Sequence, residues 1–157
     1  MNTIITICTV LSMYMTSLEN VNSEYFYNAD IVNGIVTTMY VYDSSDTGLT
    51  PKFSYDFKYD AEGRLIEKTV NRWDKWNQQY KPSTRLEMTY TDNGYEVSHS
   101  VWSKKGWKAT EKVFYQMESN QVLSVNYLQP NHQGEFNTVE RLTVIDPMAG
   151  RLLAEIQ

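Results

Sequence analysis

Between Tyr55 and Asp74 the chain reads YDFKYDAEGRLIEKTVNRWD. Phe53, Tyr55, Phe57 and Tyr59 alternate with Ser54, Asp56 and Lys58. Such alternation sends the rings to one face of a strand and the polar groups to the other. Asp60-Ala61-Glu62-Gly63 breaks the pattern. Gly63 tolerates the positive φ of a tight loop, and the Asp60 carboxylate can accept from the backbone just ahead of it. Leu65 to Trp73 then alternates again, with Ile66 and Val70 on one side and Glu67, Thr69 and Asn71 on the other. Arg64, Lys68 and Arg72 share the parity of Ile66 and Val70, so that face is expected to border solvent. Few segments other than a β-hairpin satisfy this pattern.

Related units recur. Turn-bearing sites stand at Asn33-Gly34, Glu62-Gly63, Asn93-Gly94, Asn120 and Ala149-Gly150, about thirty residues apart, an interval typical of internal repeats. Each has an alternating apolar run on both sides. Between the units lie polar stretches expected to be loops: Asp43 to Pro51, Asp74 to Pro82, Ser103 to Lys108 and Gln129 to Glu135. No stretch shows convincing helical spacing with caps. The expected fold is all-β, an antiparallel meander of about nine or ten strands built from repeated hairpins. It can curl into a barrel-like roll or stay open with one face buried.

The N-terminal run Ile4 to Met15 is apolar, and Thr16, Ser17, Glu19 and Asn20 follow it. Its length suits the core of a signal peptide and is too short to span a bilayer. The Met1-Asn2-Thr3 opening lacks a basic residue, and no small-x-small cleavage triplet is present. The alternative is a first buried strand. Export is the preferred reading, with residues 1–22 as signal peptide and 23–157 as one β-repeat domain beginning near Ser23. The only cysteine, Cys8, lies inside this run, so an intrachain disulfide is excluded.

The hairpin residues resemble a known pattern. Tyr55-x-Phe57-x-Tyr59-Asp60-x-x-Gly63-Arg64-Leu65 resembles the YD-type repeat Y-x-Y-D-x-x-G-R-L of large bacterial surface and toxin-shell proteins. With Leu49-Thr50-Pro51 before it and Trp73-Asp74 and Trp76 after it, the chain resembles the domain of unknown function 3836 family, small exported proteins of Bacteroides-type gut bacteria. The likeness covers residues 25 to 145 and is sharpest from Leu49 to Trp107. It departs at Asn120, where Asn-Gln-Val replaces Gly-Arg-Leu, and at Gly94-Tyr95, which lacks the arginine. The resemblance implies the fold and export. It transfers no functional residue, since the family carries no assigned activity.

Charge and chemistry narrow the function. A formal charge of −5 argues against nucleic acid, which wants a basic patch. No Lys or Arg precedes Lys52, whereas five acidic residues do. His99 falls in a strand and His132 in a loop, and nothing gathers them into a zinc site. Asp56, Asp60, Glu62, Glu67, Asp74, Asp92 and Glu96 sit in turns or on polar faces, with no spacing that selects a catalytic pair. Asp43 to Gly48 has oxygen ligands but not the spacing of a calcium loop. No cofactor, metal or catalytic residue is expected. The candidate binding residues are Trp73, Trp76, Trp102, Trp107 and Tyr80, whose rings would line one edge of aligned hairpins, near Tyr90 and Tyr95. Exposed, they make a platform for sugars or a partner chain; buried, they plug the core. The expected function is an exported, non-enzymatic surface module for a glycan, an envelope component or a protein, without a stable transmembrane anchor. The alternatives are a self-assembling structural protein and, last, a carbohydrate-active enzyme.

Overall fold

The computed structural model describes residues 4–20, 24–119, 121–146 and 151–155. Met1-Asn2-Thr3, the expected domain start at Ser23, and the turns expected at Asn120 and Ala149-Gly150 lie outside the described residues. One helix, α1 (Ile7–Glu19), precedes ten strands: β1 (Tyr25–Val32), β2 (Ile35–Ser45), β3 (Gly48–Tyr59), β4 (Leu65–Asp74), β5 (Gln79–Thr91), β6 (Gly94–Ser103), β7 (Gly106–Glu118), β8 (Gln121–Pro130), β9 (Phe136–Asp146) and β10 (Arg151–Glu155). Strand order follows the chain from β1 to β10 with no crossover, the expected antiparallel meander. In that order β1 and β10 are not neighbours. The chain forms two compact units, Ile4–Arg85 and Leu86–Gln157.

In the first unit, α1 overturns the expectation of no capped helix and replaces the alternative of a first buried strand. Thr6 is its N-cap: Thr9 N donates to Thr6 Oγ1 at 3.4 Å and Thr6 N donates back to Thr9 Oγ1 at 3.2 Å. This closes a capping box with Thr in place of the usual Glu or Gln. Val10 and Tyr14, four residues apart, share a helix face and are buried. They pack with the fully buried Val36 and with Ile5, Leu11, Tyr27, Ala29, Met39, Phe57 and Tyr59. Ile7 N donates to Gly63 O at 3.0 Å and Leu65 N to Ile5 O at 2.8 Å, which ties the helix start to the β3–β4 turn. Ile4, Ile5, Thr6, Ile7, Thr9 and Val10 are β-branched and favour strands locally. Tertiary burial decides for the helix.

The β3–β4 hairpin forms as the alternation demands. Tyr55 stands opposite Val70 and Phe57 opposite Lys68, and Lys68 Nζ lies 4.7 Å from the Tyr55 ring centroid. Asp60 Oδ1 accepts from Glu62 N at 3.0 Å and Arg64 N at 2.9 Å, and Arg64 Nε donates to Asp60 Oδ2 at 2.8 Å. Gly63, at φ +76°, closes the turn by donating to Asp60 O. The opposite face is less open than its polar side chains suggest. Ser54 is buried, and Asn71 Nδ2 donates to Ser54 Oγ at 3.1 Å and Asp56 Oδ2 at 2.8 Å. Thr38 Oγ1 donates to Asp56 Oδ1 at 2.9 Å. The residues polar by sequence thus form a cross-strand network rather than a solvated surface.

The second unit buries Met88, Tyr95 and Val125. Tyr95 stacks on Tyr115 at 4.8 Å, with planes 15° apart, and Tyr90 leans on Tyr95 at 5.8 Å. Asn131 repeats the Asp60 corner: Asn131 Oδ1 accepts from Gln133 N at 2.8 Å and Glu135 N at 3.0 Å, and Gly134 N donates to Asn131 O. Here the side-chain donor and acceptor are exchanged, since Asn131 Nδ2 donates to Glu135 Oε2 at 3.2 Å.

The four interhairpin loops are shorter than expected. Strand pairing continues to Ser45 opposite Gly48 and to Ser103 opposite Gly106, so Asp43–Ser45 and Gly48–Pro51 belong to strands. Single-residue bulges recur in these ladders. Val41 pairs with Phe53 and Tyr42 with Pro51, leaving Lys52 unpaired; His99 pairs with Glu111 and Ser100 with Ala109, leaving Thr110 unpaired. Lys52 and Thr110 each follow the loop glycine, Gly48 or Gly106, by the same interval. A bulge of this kind re-aims its extra side chain.

Candidate functional site

The β4–β5 connection of the first unit is built around Asp74. Its Oδ1 accepts from Trp76 N at 3.0 Å and Asn77 N at 3.2 Å, and its Oδ2 from Asn77 Nδ2 at 2.7 Å. Lys81 pairs with the same carboxylate. Lys81 and Asn77 hold the Asp74 carboxyl well below the usual carboxylate range. This frame leaves Trp76 at the loop tip, 96% exposed. Behind it, Trp73 meets Tyr80 edge-on at 4.9 Å with planes 69° apart, and Tyr80 lies 6.1 Å from Tyr40. Tyr40 Oη donates to Asp30 Oδ2 at 2.7 Å, and this bond, with burial and the Asp30 charge, pushes the phenol up to about 12.

A groove of about 310 Å³ opens beside this cluster. Trp73 and Lys75 line it from β4 and its loop; Asp43, Ser44 and Ser45 line it from β2, and Thr50, Pro51 and Lys52 from β3. The bulge at Lys52 sets its ammonium 4.7 Å from the Tyr25 ring centroid and 3.6 Å from Asp43 Oδ2. Ser45 Oγ is committed to Gly48 O. Among the described residues, the Ser44 and Thr50 hydroxyls and the Lys75 ammonium make no hydrogen bond or ion pair.

The five candidate residues divide between the units. Trp73 and Tyr80 come together in the first, and Trp76 stands exposed on the loop that joins their strands. Trp102 and Trp107 pair edge-on in the second, at 5.1 Å with planes 70° apart, and Trp102 is 47% exposed. Trp73 and Trp107 are half-buried. Tyr90 leans on Tyr95, and Tyr95 stacks on Tyr115. His99 Nδ1 lies 3.0 Å from the bulged Thr110 Oγ1, while His132 is exposed in its loop. Of the carboxylates, Glu67 pairs with Lys58 at 2.9 Å, Glu62 with Arg64 at 2.9 Å and Glu96 with Lys112 at 3.4 Å. Among the described residues no three His, Cys, Asp or Glu side chains gather as metal ligands. No described helix is long and apolar enough to cross a membrane.

Sequence reasoning missed Tyr40, Lys75 and the groove. Tyr40 shares strand parity with Thr38 and Tyr42, which offered a signal. The groove depends on the Lys52 bulge, a matter of register that composition does not reveal.

The family model described as a family of unknown function, DUF3836, matches residues 1–111. Three solved structures share the fold. A protein of unknown function from Bacteroides fragilis NCTC 9343 superposes with a TM-score of 0.68 at 18% identity, over 81% of this chain and 96% of that one. A DUF3836 family protein from Bacteroides vulgatus ATCC 8482 gives 0.53 at 22% identity, over 56% of this chain and 92% of that one. Another from Parabacteroides distasonis ATCC 8503 gives 0.50 at 22% identity, over 59% and 89%. No curated protein matches the chain.

Proposed function

Because the chain belongs to DUF3836, a family of unknown function, we propose a role read from its own geometry: an exported, non-enzymatic hairpin-repeat module that binds a glycan through ring-bearing loops. The carrying observation is Trp76, 96% exposed on a loop that Asp74 fixes in place. A rigid loop that presents a bare indole loses little entropy on stacking against a sugar face. Tyr40, Tyr80 and Trp73 supply further ring surface behind it. The non-enzymatic part draws on the carboxylates. Asp56, Asp60, Glu67 and Asp74 spend oxygens on hairpin geometry rather than on the paired arrangement that glycoside cleavage uses. The apolar run Ile4 to Met15 supports export, and the Tyr59-Asp60-x-x-Gly63-Arg64-Leu65 corner supports the YD-type reading.

The test is a titration of the full chain with a panel of neutral and acidic oligosaccharides, followed by tryptophan fluorescence. Saturable binding that Trp76→Ala abolishes supports the proposal. Turnover of a saccharide, with no binding that depends on Trp76, overturns it.

A second reading, self-assembly, draws on β1. That strand ends the sheet order and exposes Phe26, Ile31 and Val32. An apolar edge strand invites pairing with another chain. Light scattering at rising concentration separates the two, because a persistent monomer speaks against assembly.

A further inference from the structure

We propose that the groove beside Trp73 is a subsite for an acidic sugar, a pyranose ring carrying a carboxylate. The inference rests on the glycan-binding reading and names the ligand class. Three features of the groove carry it. Trp73 gives it an aromatic wall, suited to the apolar face of a pyranose. Ser44 and Thr50 contribute hydroxyls that, among the described residues, bond to nothing else, and these match the alternating donors and acceptors of a sugar ring. Lys52 and Lys75 contribute two ammonium groups against the single carboxylate of Asp43.

The two lysines differ. Lys52 already faces Asp43 and donates to Tyr25 Oη at 3.3 Å, so most of its charge is spent within the protein. Lys75 is exposed and has no partner among the described residues, which leaves it for the ligand. This local balance runs against the formal charge of −5 on the whole chain. A neutral sugar would leave the Lys75 ammonium without a counter-charge; a carboxylate supplies one and gains a charge-assisted hydrogen bond. Asp43 repels a second acidic group, so the groove takes one carboxylate per site and uses Asp43 as an acceptor for a ring hydroxyl.

The probes are trigalacturonate, its uncharged methyl ester and acetate, each titrated into the full chain with tryptophan fluorescence and calorimetry as readouts. Trigalacturonate is expected to bind at least about tenfold more tightly than the ester, as a charge-assisted contact requires, and acetate alone is expected not to bind. Added salt should erase most of that preference. Lys75→Ala should bring the acidic probe down to the level of the ester, and Lys75→Arg should restore it. Lys75 has no partner among the described residues, so neither variant removes a contact of the described fold. Equal affinity for acid and ester, binding of acetate alone, or indifference to Lys75→Ala overturns the inference. If the neutral ester binds through Trp76 as tightly as the acid, the acidic subsite falls and the glycan-binding reading stands. If no saccharide binds, both fall.

Discussion

Arg64 donates to Asp60 twice, from its backbone N–H at 2.9 Å and from Nε at 2.8 Å. Asn131 and Glu135 stand in the same relation with donor and acceptor exchanged at the side chains. One corner is therefore built with an ion pair in one place and with an amide–carboxylate bond in the other, and the two should be interchangeable. Asp60→Asn removes one of the two carboxylates that the guanidinium pairs with, and Arg64→Glu sets a third carboxylate beside Asp60 and Glu62. Each is expected to lower the thermal midpoint by about 2–4 °C, a modest loss for a chain of this size. The triple variant Asp60→Asn/Glu62→Gln/Arg64→Glu recreates the Asn131-x-Gln133-Gly134-Glu135 corner and should recover most of the loss. A triple variant worse than either single one would show that the corners are not equivalent.

What could be read from sequence followed from what is local. Alternation around Tyr55 and Ile66, with a glycine at the turn, is enough to place β3 and β4. Asp60-x-x-Gly63-Arg64 announces its own corner, because every bond in it joins neighbours in sequence. The Asn131 corner escaped because Asn-x-x-Gly-Glu exchanges the side-chain donor and acceptor, so Gln129 to Glu135 reads only as a polar loop. Loops were overestimated at Asp43 and Pro51, where polar composition outweighed a ladder that runs on to Ser45. Helix α1 escaped because its β-branched residues favour a strand until Val36 and Phe57 offer something to cover. Of the site, the pairing of Trp73 with Tyr80 was within reach. The groove was not, since it exists only once the bulge aims Lys52.

Gly94 is expected to be the least replaceable glycine among those described. Its φ is +148°, and a β-carbon there would collide with the Tyr115 carbonyl, which is backbone and cannot rotate away. Gly34 has a similar need for positive φ, at +78°, but open space around it. Gly34→Ala should cost about 1–2 kcal/mol from conformation alone. Gly94→Ala should cost more, because β7 must shift to accommodate it. Urea unfolding of the two variants checks the ranking, and equal losses would contradict the collision.

The Tyr40–Asp30 bond predicts a tyrosine that ionises late for an electrostatic reason. Its phenol stands at about 12 against 10.0 ordinarily. The folded value is raised, so the stabilisation is fully present below pH 10 and is lost as pH rises through about 12. Tyr59 also reaches about 12, but through burial. Asp30→Asn should therefore return Tyr40 toward its ordinary value and leave Tyr59 unmoved. Absorbance titration of phenolate, with Tyr40→Phe identifying the moving group, reads this directly. Tyr40→Phe should cost at most about 1 kcal/mol near neutral pH, since the bond is solvent-screened. If Asp30→Asn moved neither phenol, the bond would not govern Tyr40.

Helix α1 packs on the sheet tightly enough for its cover to be measured. Val10 and Tyr14 cover Val36, Met39 and Phe57, while Met13, Met15 and Leu18 stay exposed on the outer side. Val10→Ala should cost about 2 kcal/mol, the scale of one buried aliphatic side chain. A chain starting at Ser23 loses that cover and the two backbone bonds that Ile5 and Ile7 make to Leu65 and Gly63. It should unfold at lower denaturant and bind a hydrophobic dye that the full chain does not. A truncated chain as stable as the full one and silent to the dye would mean that β1 to β3 hold together without the helix.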